Sequence, residues 1–154
     1  MENVLLTSNG ISNIKLAKHL YSLLPNCVEK CSLGIIINAK ESFSDKMEQA
    51  NKRFFRGKLL GFGKIDIVDL ELRNAEVLRN YDVIEIANGN PFLLMKILRD
   101  SGADKLLIEL AENGKIIIGS SAGSFALSPN LDFINYVDKK LNEIQNVNES
   151  AGAI

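Results

Sequence analysis

A serine stands between small residues at Gly119-Ser120-Ser121-Ala122-Gly123, directly after the β-branched run Ile116-Ile117-Ile118. The G-x-S-x-G spacing is that of a nucleophile elbow, where a strand turns sharply into a helix and the serine at the tip projects its hydroxyl outward. A serine so placed could attack a carbonyl carbon. Strand and helix pass close together at such a turn, so small neighbours are needed, and Gly119, Ala122 and Gly123 supply them. The Ala122 N–H, at the start of the new helix, would point where an oxyanion could sit. The same pattern also fits a plain strand-to-helix turn with a surface serine, so its context matters. An apolar strand precedes it, and the helix-compatible Ser124-Phe125-Ala126-Leu127 follows.

A second turn, Asn88-Gly89-Asn90-Pro91, follows the apolar run Val83-Ile84-Glu85-Ile86-Ala87. Gly89 permits positive φ in a tight turn. Asn90 suits a helix N-cap and Pro91 a first helical position. Both turns fall at carboxyl ends of predicted strands, where parallel α/β sheets bind their ligands. The Gly89 and Ala122 N–H groups flanking Ser121 would be the arrangement that acyl transfer needs.

A serine nucleophile also needs a base. His19 is the one histidine of the 154 residues. It lies on the first predicted helix, off the apolar stripe, and reads as an exposed residue. Lys115 is at the far end of its strand, and Lys139 and Lys140 are tied to no motif. Cys27 and Cys31 stand four apart, which is neither C-x-x-C nor half of a zinc site, so they read as free thiols. Thr7-Ser8-Asn9-Gly10 after the first strand is not a dinucleotide fingerprint. Neither a metal nor a cofactor is expected.

The elements that must position these residues alternate along the chain. Val4–Thr7 reads as a strand. A helix capped by Ser12 should bury Ile14, Ala17, Leu20, Tyr21 and Leu24. Leu33–Ile37 is a second strand. Phe43, Met47, Ala50 and Phe54 predict an amphipathic helix that ends at Gly61. Ile65–Leu70 is a third strand, followed by a short helix capped by Asn74 that carries Ala75, Leu78 and Tyr81. Val83–Ala87 is the fourth strand. Helices follow from Pro91 to Ser101 and from Asp104 to Glu112, and the fifth strand runs into the elbow. Strand–helix alternation predicts an α/β fold with a parallel sheet. Residues 1–154 form one domain, with 131–154 expected to be a loosely ordered, incomplete C-terminal segment.

Composition agrees with a globular domain: 46% hydrophobic, 24% charged, formal net charge -1. No basic run suggests nucleic acid, and no apolar run approaches the ~20 residues of a membrane span. The N-terminus lacks a signal-peptide pattern, so the expected setting is the cytoplasm.

The run Asn88-Gly89-Asn90-Pro91-Phe92, the helix Leu93 to Gly102, and Gly119-Ser120-Ser121-Ala122-Gly123 together resemble the peptidase E (dipeptidase E) family of serine peptidases. The 32 positions from Gly89 to Ser121 fit that family's spacing. The resemblance covers roughly residues 3–130. It implies a flavodoxin-like, mostly parallel sheet with helices on both faces, related to class I glutamine amidotransferases. It also implies hydrolysis of short peptides after an N-terminal Asp, with Ser121 as nucleophile and Gly89 and Ala122 as oxyanion donors. The family turn is Gly-Gly-Asn-Thr, whereas this chain has Asn88 at the first position and Pro91 at the last. The family base is a histidine beyond the elbow, and none follows His19 here. Asp132 and Asp138 lie near the expected acid position without aligning, so neither base nor acid carries over.

Three readings follow. One is a peptidase E-like hydrolase, truncated or crippled, with little turnover. The second is a non-catalytic module that binds a small molecule or carboxylate. The third is a subunit completed by a partner chain, with a homodimer as the expected assembly. Specificity for Asp would call on cations, for which Lys40, Arg53 and Arg56 are candidates.

Overall fold

The computed structural model describes residues 3–128. The expectation for residues 131–154 lies outside them. Strands β1 (Val4–Thr7), β2 (Ser32–Ile36), β3 (Lys64–Val68), β4 (Val83–Ile86) and β5 (Ile116–Ser120) form one sheet in the order β1-β5-β4-β2-β3. Every neighbouring pair is parallel. Strands β4 and β5 are buried along their whole length. Their unbroken apolar runs follow from that position, because a central parallel strand is covered on both faces.

Helices α1 (Ile14–Leu23) and α2 (Phe43–Leu60) cover one face. Helices α3 (Pro91–Ser101), α4 (Ala103–Glu112) and α5 (Ala122–Ala126) cover the other. Alternate strand residues serve the two layers. Leu33, Ile35, Val83, Ile116 and Ile118 pack toward α1 and α2, while Ile36, Ile84, Ile86 and Ile117 pack toward α3, α4 and α5. The helices that follow β1 and β5 lie on opposite faces of adjacent strands. A crevice therefore opens at the carboxyl ends of that pair, where the elbow stands.

Gly34 sits flat under a side chain from the next layer. A Cβ there would come within 2.8 Å of three ring atoms of Tyr81, and the Tyr81 hydroxyl donates to Asp66 Oδ2 at 2.9 Å. Gly61 and Gly102, in left-handed conformation with φ 96° and 74°, close α2 and α3 where the sequence places helix ends.

Three expectations need correction. The cap of α1 is Asn13 rather than Ser12, its side chain accepting the Leu16 N–H at 3.0 Å. Ile14 and Tyr21 lie at the surface, leaving Ala17 and Leu20 as the buried positions of that stripe. The largest correction concerns α2. Of the apolar stripe only Ala50 is buried, while Phe43, Met47 and Phe54 are 75%, 41% and 39% exposed. The helix instead buries Lys46, Gln49, Ala50, Arg53 and Gly57. The cause is the surface it covers. Acceptors on Asp69, Glu85 and Asn88 face this helix, and the long polar side chains of α2 satisfy them. Burying polar groups is tolerated only when they are paired in this way.

Candidate active site at the crest of the sheet

The elbow forms where β5 passes into α5. Ser121 has φ 52° and ψ -105°, and it is the one non-glycine residue with positive φ among the described residues. A backbone in so sparsely populated a region costs on the order of 1–3 kcal/mol and persists only where its surroundings enforce it. Here the enforcement comes from β1. The Ser121 N–H donates to Thr7 O at 2.9 Å, and the Phe125 N–H donates to Ser121 O at 3.0 Å. The Ser124 hydroxyl accepts the Thr7 N–H at 2.9 Å and lies within donating reach of the Thr7 and Gly119 carbonyls. Thr7 Oγ1 donates to Gly119 O at 2.8 Å and accepts the Gly10 N–H at 2.7 Å.

Closeness explains the two glycines. A Cβ on Gly119 would lie 2.7 Å from Ser124 Cα, and one on Gly123 would run into the carbonyl oxygen of Ile86. The small residues at the elbow are therefore steric necessities of a helix start pressed against β4 and β5.

The second turn emerges from β4, the immediate neighbour of β5, with Ile86 in register with Gly119. Gly89 and Ser121 thus leave adjacent strands at the same crest. Gly89 has φ 149°, and a Cβ there would collide with the carbonyl oxygen of Ala39. The Asn90 N–H donates to that same carbonyl at 2.8 Å. Asn90 caps α3 through the Phe92 and Leu93 N–H groups, with Pro91 as the first helical residue.

Behind Gly89 lies a buried polar assembly. Gln49 Nε2 donates to Asn88 O at 2.6 Å and to Asn88 Oδ1 at 2.9 Å. Arg53 Nη2 donates to Asn88 Oδ1 at 2.7 Å, and its Nη1 pairs with Glu85 Oε1 at 2.6 Å. The Arg53 and Glu85 side chains are only 5% and 6% exposed. Burial pushes the Glu85 carboxyl up from the ordinary carboxylate range, against the pull of Arg53 and Arg56. Gly10 closes the assembly from above, since a Cβ there would lie 2.6 Å from Arg53 Nη1 and 2.7 Å from Glu85 Oε1. Arg56 donates to the Asn9 carbonyl.

A cavity of about 360 Å³ opens beside this assembly. The three cations that the sequence singles out, Lys40, Arg53 and Arg56, all line it, as do Lys52, Asp45 and Asn88. Ser121 is not among its lining residues. The cavity adjoins the crest through Asn9 and Asn88, each within two residues of a residue that shapes the site.

His19 is exposed on α1. Asp132 and Asp138 lie outside the described residues. Among the described residues no cluster of His, Cys, Asp or Glu could hold a metal ion, and no helix is long and apolar enough to cross a membrane. Gln49 and Glu85 have no role in the sequence reading, and Asn88 enters it only as a departure from the family turn. Glu85 carried a signal, being the one charged residue in an otherwise apolar central strand, where burial demands a partner.

The sheet and its two helical layers define a flavodoxin-like α/β domain with a strained serine at a strand-to-helix turn. The chain belongs to peptidase family S51, whose model matches residues 4–152. It is similar to an uncharacterized peptidase of Listeria innocua, 42% identical over 74 residues, covering 47% of this chain and 35% of that protein. An uncharacterized peptidase of Pasteurella multocida is 35% identical over 78 residues, covering 48% and 38%. These matches span little more than a third of the curated relatives' length. Among solved structures, a protein of Listeria monocytogenes EGD-e assigned to peptidase E superposes with TM-score 0.76 at 26% identity, covering 98% of this chain and 73% of that one. A peptidase from an acI-B1 Actinobacterium shares the fold, with TM-score 0.64 at 19% identity over 82% of this chain and 57% of that one.

Proposed function

We propose that the chain carries the nucleophile half of a serine peptidase site. Ser121 attacks the scissile carbonyl of a short peptide, and the Gly89 and Ala122 N–H groups receive the oxyanion. The observation that carries this reading is the φ 52°, ψ -105° backbone of Ser121. A surface serine in a plain turn has no need of such strain, whereas an elbow that must present its hydroxyl does. The cavity lining carries Lys40, Lys52, Arg53 and Arg56 against Asp45 and Glu48, an excess of positive charge that favours a substrate with an acidic residue, such as an N-terminal Asp.

The second reading, a module that binds an acidic ligand without chemistry, draws on one fact. The 154 residues hold a single histidine, and it is exposed on α1. Loss of a triad member removes several orders of magnitude in rate but leaves residual stabilisation from the oxyanion hole, so the chain by itself turns over slowly.

Labelling with a fluorophosphonate, read by intact mass with Ser121→Ala as control, tests the choice. Slow formation of one adduct that is absent in Ser121→Ala is the expected result. No adduct after prolonged exposure to excess probe would overturn the hydrolase reading in favour of the binding module.

A further inference from the structure

Gly89, with φ 149°, follows a peptide whose plane a glycine leaves freer to rotate than other residues would. With no Cβ at position 89, little steric cost opposes rotation of that peptide plane. In a trans peptide the C=O and N–H point in opposite directions. Whatever holds the Asn88 carbonyl therefore also aims the Gly89 N–H. That carbonyl accepts from Gln49 Nε2 at 2.6 Å, so the Gly89 N–H is turned away from α2.

We infer that Gln49 is a positioning residue, clamping the Asn88–Gly89 peptide in the orientation that makes the Gly89 N–H an oxyanion donor. The donor role rests on the hydrolase reading above; the clamp itself does not. Three observations support it. Gln49 is buried in the middle of α2, 6% exposed, on a face where an apolar residue would be the default. Its amide orientation is dictated by chemistry, because both of its partners on Asn88, the main-chain O and Oδ1, are acceptors and only Nε2 can serve them. Its Oε1 has no hydrogen-bond partner among the described residues. The side chain therefore leaves a buried acceptor unsatisfied, at a cost, while its amino group donates to both Asn88 acceptors.

Asn88 extends the device. Its Oδ1 takes both Gln49 Nε2 and Arg53 Nη2, and Arg53 is anchored by Glu85. A glycine at position 88 would offer no such acceptor. In this chain the turn is thereby tied through its side chain to an ion pair in the core.

The test uses Gln49→Ala and Gln49→Glu in the same chain, with a folding check by circular dichroism. A packing role predicts that the isosteric Gln49→Glu is the milder change. The clamp predicts the reverse, since a carboxylate would face two acceptors and drive the Asn88 carbonyl away. Crystal structures of the parent and both variants read the peptide directly. The expected result is an Asn88 carbonyl on α2 in the parent and turned off it in Gln49→Glu. An unmoved peptide in Gln49→Glu overturns the clamp, whatever the labelling shows. Fluorophosphonate labelling of Ser121 then reads the consequence: a loss of about 10-fold in Gln49→Ala and on the order of 100-fold in Gln49→Glu, the scale of a lost oxyanion donor. A parent that labels, with both variants labelling at the parent's rate, overturns the donor role. A parent that does not label, with a peptide that still turns in Gln49→Glu, supports the clamp and overturns the hydrolase reading alone.

Discussion

Replacing Arg53 by methionine isolates the cost of the buried ion pair beneath the crest. Methionine keeps most of the stem's volume on α2 but removes the charge that faces Glu85 at 2.6 Å. Both side chains are at least 94% buried, so solvent cannot take over as partner. Removing one member of such a pair costs about 3–5 kcal/mol. The lost bond to Asn88 Oδ1 adds about 1 kcal/mol. A domain is typically stable by about 5–15 kcal/mol, so this is a large share of the total. Burial already raises the Glu85 carboxyl, and loss of Arg53 removes the largest opposing influence and raises it further. A carboxyl whose folded-state pKa lies above its unfolded value contributes stability below the unfolded value, which is lost as pH rises through the folded one. The deficit of Arg53→Met should therefore be greatest at neutral pH and shrink as the medium becomes acid enough to neutralise Glu85. The assay is urea unfolding at several pH values, with constant m confirming a common unfolding reaction. Arg53→Met/Glu85→Gln should recover most of the loss, and Arg53→Lys, which keeps the charge but not the fork, should cost about 1–2 kcal/mol. An Arg53→Met variant within about 1 kcal/mol of the parent, below the range for a broken buried pair, would show that the pair carries no such cost. A loss left unchanged by adding Glu85→Gln would show that it does not come from the stranded carboxyl.

Other outcomes follow from single residues. Ser121→Gly relieves a strained φ of 52°, so it should unfold later than Ser121→Ala by about 1 kcal/mol or more while losing all probe labelling; equal melting temperatures would count against strain at the elbow. Gly89→Ala, with φ 149° and a Cβ aimed at the Ala39 carbonyl, should cost well over 1 kcal/mol in thermal or urea unfolding. Gly34→Ala drives a methyl into the Tyr81 ring and should lower the melting temperature even though it lies far from the crest. Burial works to raise the Asp69 carboxyl, but hydrogen bonds from Asn38 and Lys46 outweigh it and hold it below its ordinary value. Its contribution is present above the unfolded carboxylate pKa and is lost as pH falls through the folded one. Asp69→Asn should flatten the acid side of the stability profile, and an unchanged profile would refute the assignment.

The two turns were legible because each demands rare residue types for a steric reason. Gly119 and Gly123 are pressed by neighbouring backbone, and Gly89 lies against the Ala39 carbonyl. Such requirements are local, and a single sequence displays them. The parallel sheet was legible for a similar reason, since unbroken apolar runs such as Ile116–Ile118 suit strands covered on both faces. What was not legible was long-range. The strand order places β5 between β1 and β4, and only that insertion brings Thr7 against the elbow. Nothing in the spacing of Thr7 and Ser124, 117 positions apart, announces the contact.

Helix α2 marks the sharper limit of pattern reading. Its periodicity predicts a helix, and the helix is there, yet Phe43, Met47 and Phe54 of its apolar stripe lie exposed. Periodicity reports that a helix has two unlike faces, while the surface beneath decides which one is buried. Here that surface is not purely hydrocarbon. At the carboxyl ends of β3 and β4 it presents Asp69, Glu85 and the Asn88 turn, and leaving those acceptors against Phe43 or Phe54 would strand buried polar groups. Lys46, Gln49 and Arg53 recur at three- and four-residue spacing, one continuous polar stripe on the helix. A buried polar stripe is costly for stability alone, because apolar residues of similar volume often do as well. Through Gln49 and Arg53, both bonded to Asn88, that stripe ties α2 to the glycine turn on the strand next to the strained serine.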